Sequence, residues 1–295
     1  MLRQSLRADL LMLLTAAIWG STFVAQRLGM EEIGPFLYTG LRFALGALVL
    51  LPLLLHRPAG RAPLPPPDRP LLLGGALLGL VLTCGINLQQ VGLLFTSVTN
   101  SGFITGLYVI MVPLLGLLVG QRAGTGTWLG AGLAVLGMAL LSLGADFRIA
   151  SGDWLQLAGA VVWGVHVLLV GALASRHDPL RIAFLQFLTC ALLSLLLAVL
   201  LEEIDVAAIL RAGPAILYGG VIAVGIGFTL QVVAQKHAIA SHAAIILSLE
   251  AVFAALAGAL LLDESLPARG YLGAALMLAG MLVAQLWPRR APAAA

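Results

Sequence analysis

Charge is scarce in this 295-residue chain. Only 10% of its residues are Asp, Glu, Lys or Arg, against 61% hydrophobic ones. A soluble globule of this size needs a charged exterior, so that class is excluded. Cysteine occurs only twice. Cys84 and Cys190 both fall inside apolar runs, so the pair reads as buried thiols and not as a disulfide framework. No Walker-type loop is present, which argues against ATP-driven pumping by this chain. Ser, His and acidic residues show no triad-like spacing, and no His/Cys cluster suggests a metal. Neither an enzyme motif nor a cofactor site is therefore expected. Short alternating strands are also lacking, which excludes a membrane β-barrel. The formal charge of +3 comes without a clustered basic patch, so nucleic acid is not an expected partner.

What the chain has is apolar length, with a mean hydropathy of +1.05. Ten runs approach the twenty or so residues that cross a bilayer core. They cover about 10–28, 35–55, 71–93, 97–119, 126–144, 154–173, 180–201, 213–235, 240–262 and 267–287. Charge orients them. With a cytoplasmic N-terminus, the inner segments hold Arg3, Arg7, Arg57, Arg61, Arg69, Arg122, Arg176, Arg181, Lys236, Arg289 and Arg290. The outer ones hold only Arg27, Arg148, Arg211 and Arg269. The expectation is an integral protein of the inner or plasma membrane with both termini cytoplasmic. The stretch 56–70 is Pro-rich and reads as an extended cytoplasmic connector, and the basic tail from Arg289 reads as an anchor.

The chain repeats itself. Trp128 to Leu143 and Tyr271 to Leu286 align without gaps and share Leu129/Leu272, Gly130/Gly273, Ala131/Ala274, Leu133/Leu276, Gly137/Gly280, Met138/Met281 and Leu143/Leu286. Ala16, Trp19 and Gly20 recur 144 residues on as Ala160, Trp163 and Gly164. GINLQQVG from Gly85 recurs at an offset of 142 as GFTLQVVA from Gly227. The second run pairs with the seventh at 144, with Arg42 facing Gln186. From the fourth run onward the offset is 143, which sets Gln121 opposite Glu264. Small slips in offset fall in loops, where insertions are tolerated. The expected fold is all-α: ten transmembrane helices as two five-helix repeats, residues 1–150 and 151–295. Five is odd, so the second repeat enters inverted, a common build for secondary transporters. The N-terminal segment has the outline of a signal peptide, but its removal would break the repeat, so it is read as the first span.

Polar groups in hydrocarbon are costly and should face a cavity or a partner. Helical rise places Trp19, Tyr108, Trp163 and Glu250 in one midplane layer, with His166 about 4.5 Å away and one turn on from Trp163. Glu250 suits either binding of an amine and carriage of a proton, or helix-to-helix packing. Trp19 and Trp163 suit either an aromatic wall for an organic solute or interior packing. His166 is the second proton-coupling candidate, with a hydrogen-bonded core role as the alternative. Asn87 and Gln90 form a polar stripe, as do Ser101, Thr105 and Tyr108. Asn100, Gln231 and Gln235 are weaker candidates nearer helix ends.

The stretch LQVVAQKHAIASHAAIILSLEAVFAALAGALLLDESL (230–266), with AAIWGSTFVAQR and LRFALGAL earlier, resembles EamA-type carriers of the drug/metabolite transporter superfamily over essentially the whole chain. The resemblance implies alternating access and a central cavity lined by spans 1, 3, 4, 6, 8 and 9, with spans 5 and 10 peripheral. The family often has Arg at the position of Arg42, on a span outside that group. Arg42 is accordingly read as structural, along with Gln186. The family often has proline after the span-9 glutamate, where this chain has Ala251, so no proline-driven kink is expected there. The expected function is secondary transport, probable export, of a small amino-acid-like or drug-like metabolite, with protons as a candidate coupling ion. A membrane-embedded enzyme and a non-transporting structural or sensor protein are the rival readings.

Overall fold

The computed structural model describes residues 2–55, 66–142, 150–263 and 268–287. Arg57, Arg61, Arg148, Glu264, Arg289, Arg290, most of the Pro-rich connector and the basic tail lie outside the described residues. Ten apolar helices make up the fold, with no strand among the described residues. They are α1 (Leu2–Gly29), α2 (Pro35–Leu55), α3 (Arg69–Leu93), α4 (Val98–Leu118), α5 (Thr125–Ser142), α6 (Ser151–Ala174), α7 (Pro179–Leu201), α8 (Gly213–Gln235), α9 (Ala240–Leu261) and α10 (Ala268–Leu286). The protein is an all-α integral membrane protein.

Helix starts follow from local chemistry. Asp68 caps α3 by accepting from Leu71 N–H at 3.0 Å, and Asp178 caps α7 by accepting from Leu180 N–H at 3.1 Å. Ser97 does the same for α4 through Asn100 N–H. Each satisfies a donor that the helix itself leaves orphaned. Proline opens α2 and α7, where its missing N–H removes no helical bond.

The packing is symmetric under exchange of the two repeats. α1 packs on α8 and α9 as α6 packs on α3 and α4; α2 packs on α8 as α7 packs on α3. The exchange maps the α2–α7 pair and the α5–α10 pair onto themselves. The α5–α10 pair explains the most similar stretches of the sequence. A Cβ on Gly130 would stand 2.6 Å from the Gly280 carbonyl oxygen, and one on Gly280 would stand 2.6 Å from that of Gly130. The repeated glycines therefore let two backbones touch. Leucines at 129, 136, 272, 278 and 282 line the outer face of this pair.

Three helices depart from regularity, all near their middles. α4 breaks at Leu107, where Leu107 N–H donates to Ile104 O and Ile110 N–H to Leu107 O, both i−3 bonds. α9 breaks at Ser248–Leu249 in the same way, with Leu249 N–H donating to Ile246 O and Ala251 N–H to Ser248 O. A break thus exists beside Glu250 without the proline. Tight i−3 turns inside a helix mark hinges. α8 is wound as a π-helix from Tyr218 to Phe228, a rare form that is frequent at functional sites.

One end of the bundle is clasped. The Glu202 carboxylate accepts from the N–H groups of Phe36 and Leu37 at 2.8 Å each, and Tyr38 donates its hydroxyl proton to Ala215 O at 3.1 Å. Arg211 pairs with Glu32 at 2.6 Å. These bonds tie the first repeat to the second at the end carrying the α1–α2 and α7–α8 connections.

Candidate functional site

The breaks in α4 and α9 put Tyr108 and Glu250 at the first positions of the second half-helices. Both line a central cavity of about 30 Å³, enough for one or two waters. Trp19 and Trp163 flank it from α1 and α6, and Phe228 from α8 lies between them, its ring centroid 4.4 Å from Trp19 and 6.0 Å from Trp163. Gln89 on α3 and Gln231 on α8 complete opposite walls. Discontinuous helices meeting at the midplane are where carriers build their sites.

Arg42 also reaches this cavity, from α2. No other residue of α2 lines it, so the span stands beside the cavity while this one side chain reaches in. Its Nη2 donates to Gln26 Oε1 at 3.5 Å and Gln90 Oε1 at 3.4 Å, both long, and its Nε has no partner. The rings of Tyr38 and Phe43 each lie 5.3 Å from the guanidinium carbon. Among the described residues no carboxylate pairs with it, although it is 1% exposed. Glu250, 4% exposed, is its opposite. The Tyr108 hydroxyl is close enough to interact with the carboxyl, yet Glu250 Oε1 and Tyr108 Oη both lack a hydrogen bond of acceptable geometry. The cavity is thus lined by a cation from α2 and a carboxyl group from α9 that do not pair.

Not every expected residue comes to the cavity. Asn87 turns to α7, donating to Ser194 Oγ at 2.9 Å and to its own helix at Thr83 O. Gln90 faces Arg42 from behind the wall. His166 is fully buried one layer out, its Nε2 2.9 Å from Gln186 Oε1 and its ring edge-on to Trp163 at 5.4 Å. Neither His166 nor Gln186 lines the cavity. Of the α4 stripe, Thr105 and Tyr108 line it and Ser101 does not. Among the lining residues missed are Gln26, Gln89 and Phe228. Gln89 had a signal, since it and Gln231 are the matched glutamines of the two repeats. Among the described residues no group of three or more His, Cys, Asp or Glu could hold a metal.

Beyond the cavity the two ends differ. A vestibule of about 1150 Å³ opens where residues 121–127, 168–172 and 238–242 meet. Its counterpart at the clasped end, about 640 Å³, is lined by Arg27, Glu31, residues 94–98 and Leu262. Arg27 closes over that end by donating to Leu93 O at 3.0 Å.

Ten membrane helices in two exchanged repeats, around a buried polar site, define a membrane carrier. The family described as the EamA-like transporter family matches residues 6–143 and again 150–285, and the chain belongs to it. An Archaeoglobus fulgidus protein named an uncharacterized transporter is 32% identical over 95% of this chain and 86% of its own length. A Streptantibioticus cattleyicolor protein named a probable terminal-alkyne amino-acid exporter is 27% identical over 58% of this chain and 57% of its own. A crystal structure 22% identical in sequence covers 95% of this chain and 99% of its own with a TM-score of 0.77, a likeness of fold. The protein is a transporter of this family.

Proposed function

We propose that the protein is a secondary transporter that exports a small zwitterionic, amino-acid-like metabolite across the inner or plasma membrane by alternating access. The observation that carries this reading is the unpaired cation and carboxyl group that line one cavity from α2 and α9. A charged side chain at the bilayer centre costs about 2.5–3.5 kcal/mol on insertion scales. A solute bearing both a carboxylate and an ammonium group offsets both sites at once, the carboxylate on Arg42 and the ammonium on Glu250. Trp19, Trp163 and Phe228 would hold its organic part, with cation–π attraction to the ammonium. The name of the Streptantibioticus relative supports an amino-acid-like cargo and the outward direction.

The mechanism follows from the geometry. A cavity of about 30 Å³ is too small for an organic solute, so loading requires movement about the breaks in α4 and α9. The end with the larger vestibule would be cytoplasmic, as the distribution of arginines supports. Solute enters there, the site closes around it, and the clasp at Glu202 and Arg211 releases to open the other side. The halves that exchange roles are residues 1–150 and 151–295. Glu250 holds either a proton or the solute ammonium, and that exclusivity is sufficient to couple the two. The carrier reading is further supported by the ionisable site groups lying at the midplane, away from the headgroups that a lipid-modifying enzyme must reach.

The test is competition in proteoliposomes. A mixture of L-amino acids should block uptake of the labelled substrate, whereas the corresponding amines and carboxylic acids, each lacking one charge, should block it at least tenfold less well. Equal block by the amines would remove Arg42 from the site.

A further inference from the structure

Each repeat brings the same tryptophan, glycine and glutamine to the cavity but uses them differently. Trp163 lies over Gly85, where a Cβ would meet the indole at 3.5 Å, and Trp19 lies over the matching Gly227, where a Cβ would stand 2.9 Å from Nε1. Trp163 points its N–H four residues forward from its glycine and donates to Gln89 Oε1 at 3.0 Å. Trp19 points four residues backward and donates to Ala223 O at 3.4 Å, in the π-helical stretch. Gln89 is held at both ends, since its Nε2 also donates to Gln26 Oε1 at 3.4 Å. Gln231 is held at neither: Oε1 and Nε2 are both without a partner, in a side chain with no exposure that lines the cavity. A buried amide left this way, on a cavity with room for a water or two, has its donors and acceptor free for whatever enters.

We propose that Gln231 binds substrate once the conformation described here opens toward the wide vestibule, and that Gln89 takes over that role in the oppositely open conformation, where Trp19 turns over Gly227 to hold Gln231 and Trp163 releases Gln89. This rests on the transporter reading. In a carrier built from inverted repeats the two end states exchange the conformations of the halves. The locked pair of one half is then the open pair of the other. The movement is a turn of each indole over its glycine, since both indoles already sit over equivalent glycines and their N–H groups point in opposite directions along the helix. Gln231 offers the solute an acceptor and two donors, placed on the same wall system as Arg42 and Glu250. The same exchange is visible one turn from the site. Leu168 borders the wide vestibule and is half-buried, whereas Val24, its match at 144 residues, is 3% exposed.

The experiment uses the full chain in proteoliposomes, with Cys84 and Cys190 replaced by alanine and a single cysteine at Leu168 or Val24. Labelling by a membrane-impermeant thiol reagent reports which side is open, whatever the cargo. Trp163→Phe removes a bond made only in the described conformation, so Val24→Cys labelling should rise about tenfold, the equilibrium worth of one such bond, and Leu168→Cys labelling should fall. Trp19→Phe should act in the opposite sense. Shifts in the same direction, or none, overturn the exchange of pairs. In the Trp19→Phe background, Gln231→Leu should abolish thermal stabilisation by a mixture of the twenty L-amino acids and Gln89→Leu should leave it. The reverse ranking, or no stabilisation without either substitution, overturns the binding role of Gln231. The labelling arms do not depend on flux, so a wild type that carries nothing would remove the transporter reading separately.

Discussion

Arg42→Gln separates the two roles open to this arginine. As a structural group it would hold helices together, and its loss would leave Gln90 without its donor and Gln26 with only the one from Gln89. The bonds to those residues are long, at 3.5 and 3.4 Å, and Nε makes none. Little native bonding is therefore lost, while an uncompensated charge is removed from the membrane interior. The thermal midpoint of the detergent-solubilised protein should stay level or rise. Binding behaves in the opposite way. A charged donor to a carboxylate contributes about 1.5–3 kcal/mol, so Kd for a zwitterion should rise roughly tenfold to a hundredfold. Amino-acid amides, which lack the carboxylate, should bind wild type and variant alike. Calorimetric binding and a melting scan on the same preparations suffice. A fall in the midpoint with Kd unchanged would return Arg42 to a purely structural role.

Glu250→Gln keeps shape and removes the titratable group, so the variant should insert and fold normally but lose any response of flux to an imposed pH gradient; a wild-type response would pass the coupling role to His166. Gly137→Leu, where the Gly273 carbonyl lies against any added Cβ, should destabilise the α5–α10 pair by about 1–3 kcal/mol with Kd untouched, as read by melting and binding. Topology reporters after Gly60 and Ala295 should both read cytoplasmic and one after Asp205 external; a cytoplasmic signal at 205 would undo the inverted arrangement.

The spans were legible because a bilayer demands some twenty apolar residues per crossing, and the first residue of α2 and of α7 carries the mark of a helix start. The α5–α10 contact was legible in its repeated glycines. The breaks at Leu107 and Ser248–Leu249 were not, since Pro113 of α4 stands six residues beyond Leu107, α9 has no proline, and each break is made by i−3 bonding that the packed bundle selects. Helix phase hid more. Asn87 and Gln90 share a face, and that face turns to α2 and α7, leaving Gln89 on the cavity. The midplane layer of Trp19, Tyr108, Trp163 and Glu250 came together around one cavity as depth alone suggested. Depth could not say that His166, close in height, stands one layer outside it. Arg42 lines the cavity from a span beside it because a long side chain on a neighbouring helix can reach past its own backbone.

The most direct measurement is counterflow. Proteoliposomes loaded with unlabelled L-amino acids should accumulate external labelled amino acid transiently above equilibrium, and Arg42→Gln and Glu250→Gln vesicles loaded at the same concentration should fall well short of that peak. Labelled uptake no greater than into protein-free liposomes, for every member of the mixture, would contradict the central claim that this cavity carries a zwitterion across the membrane.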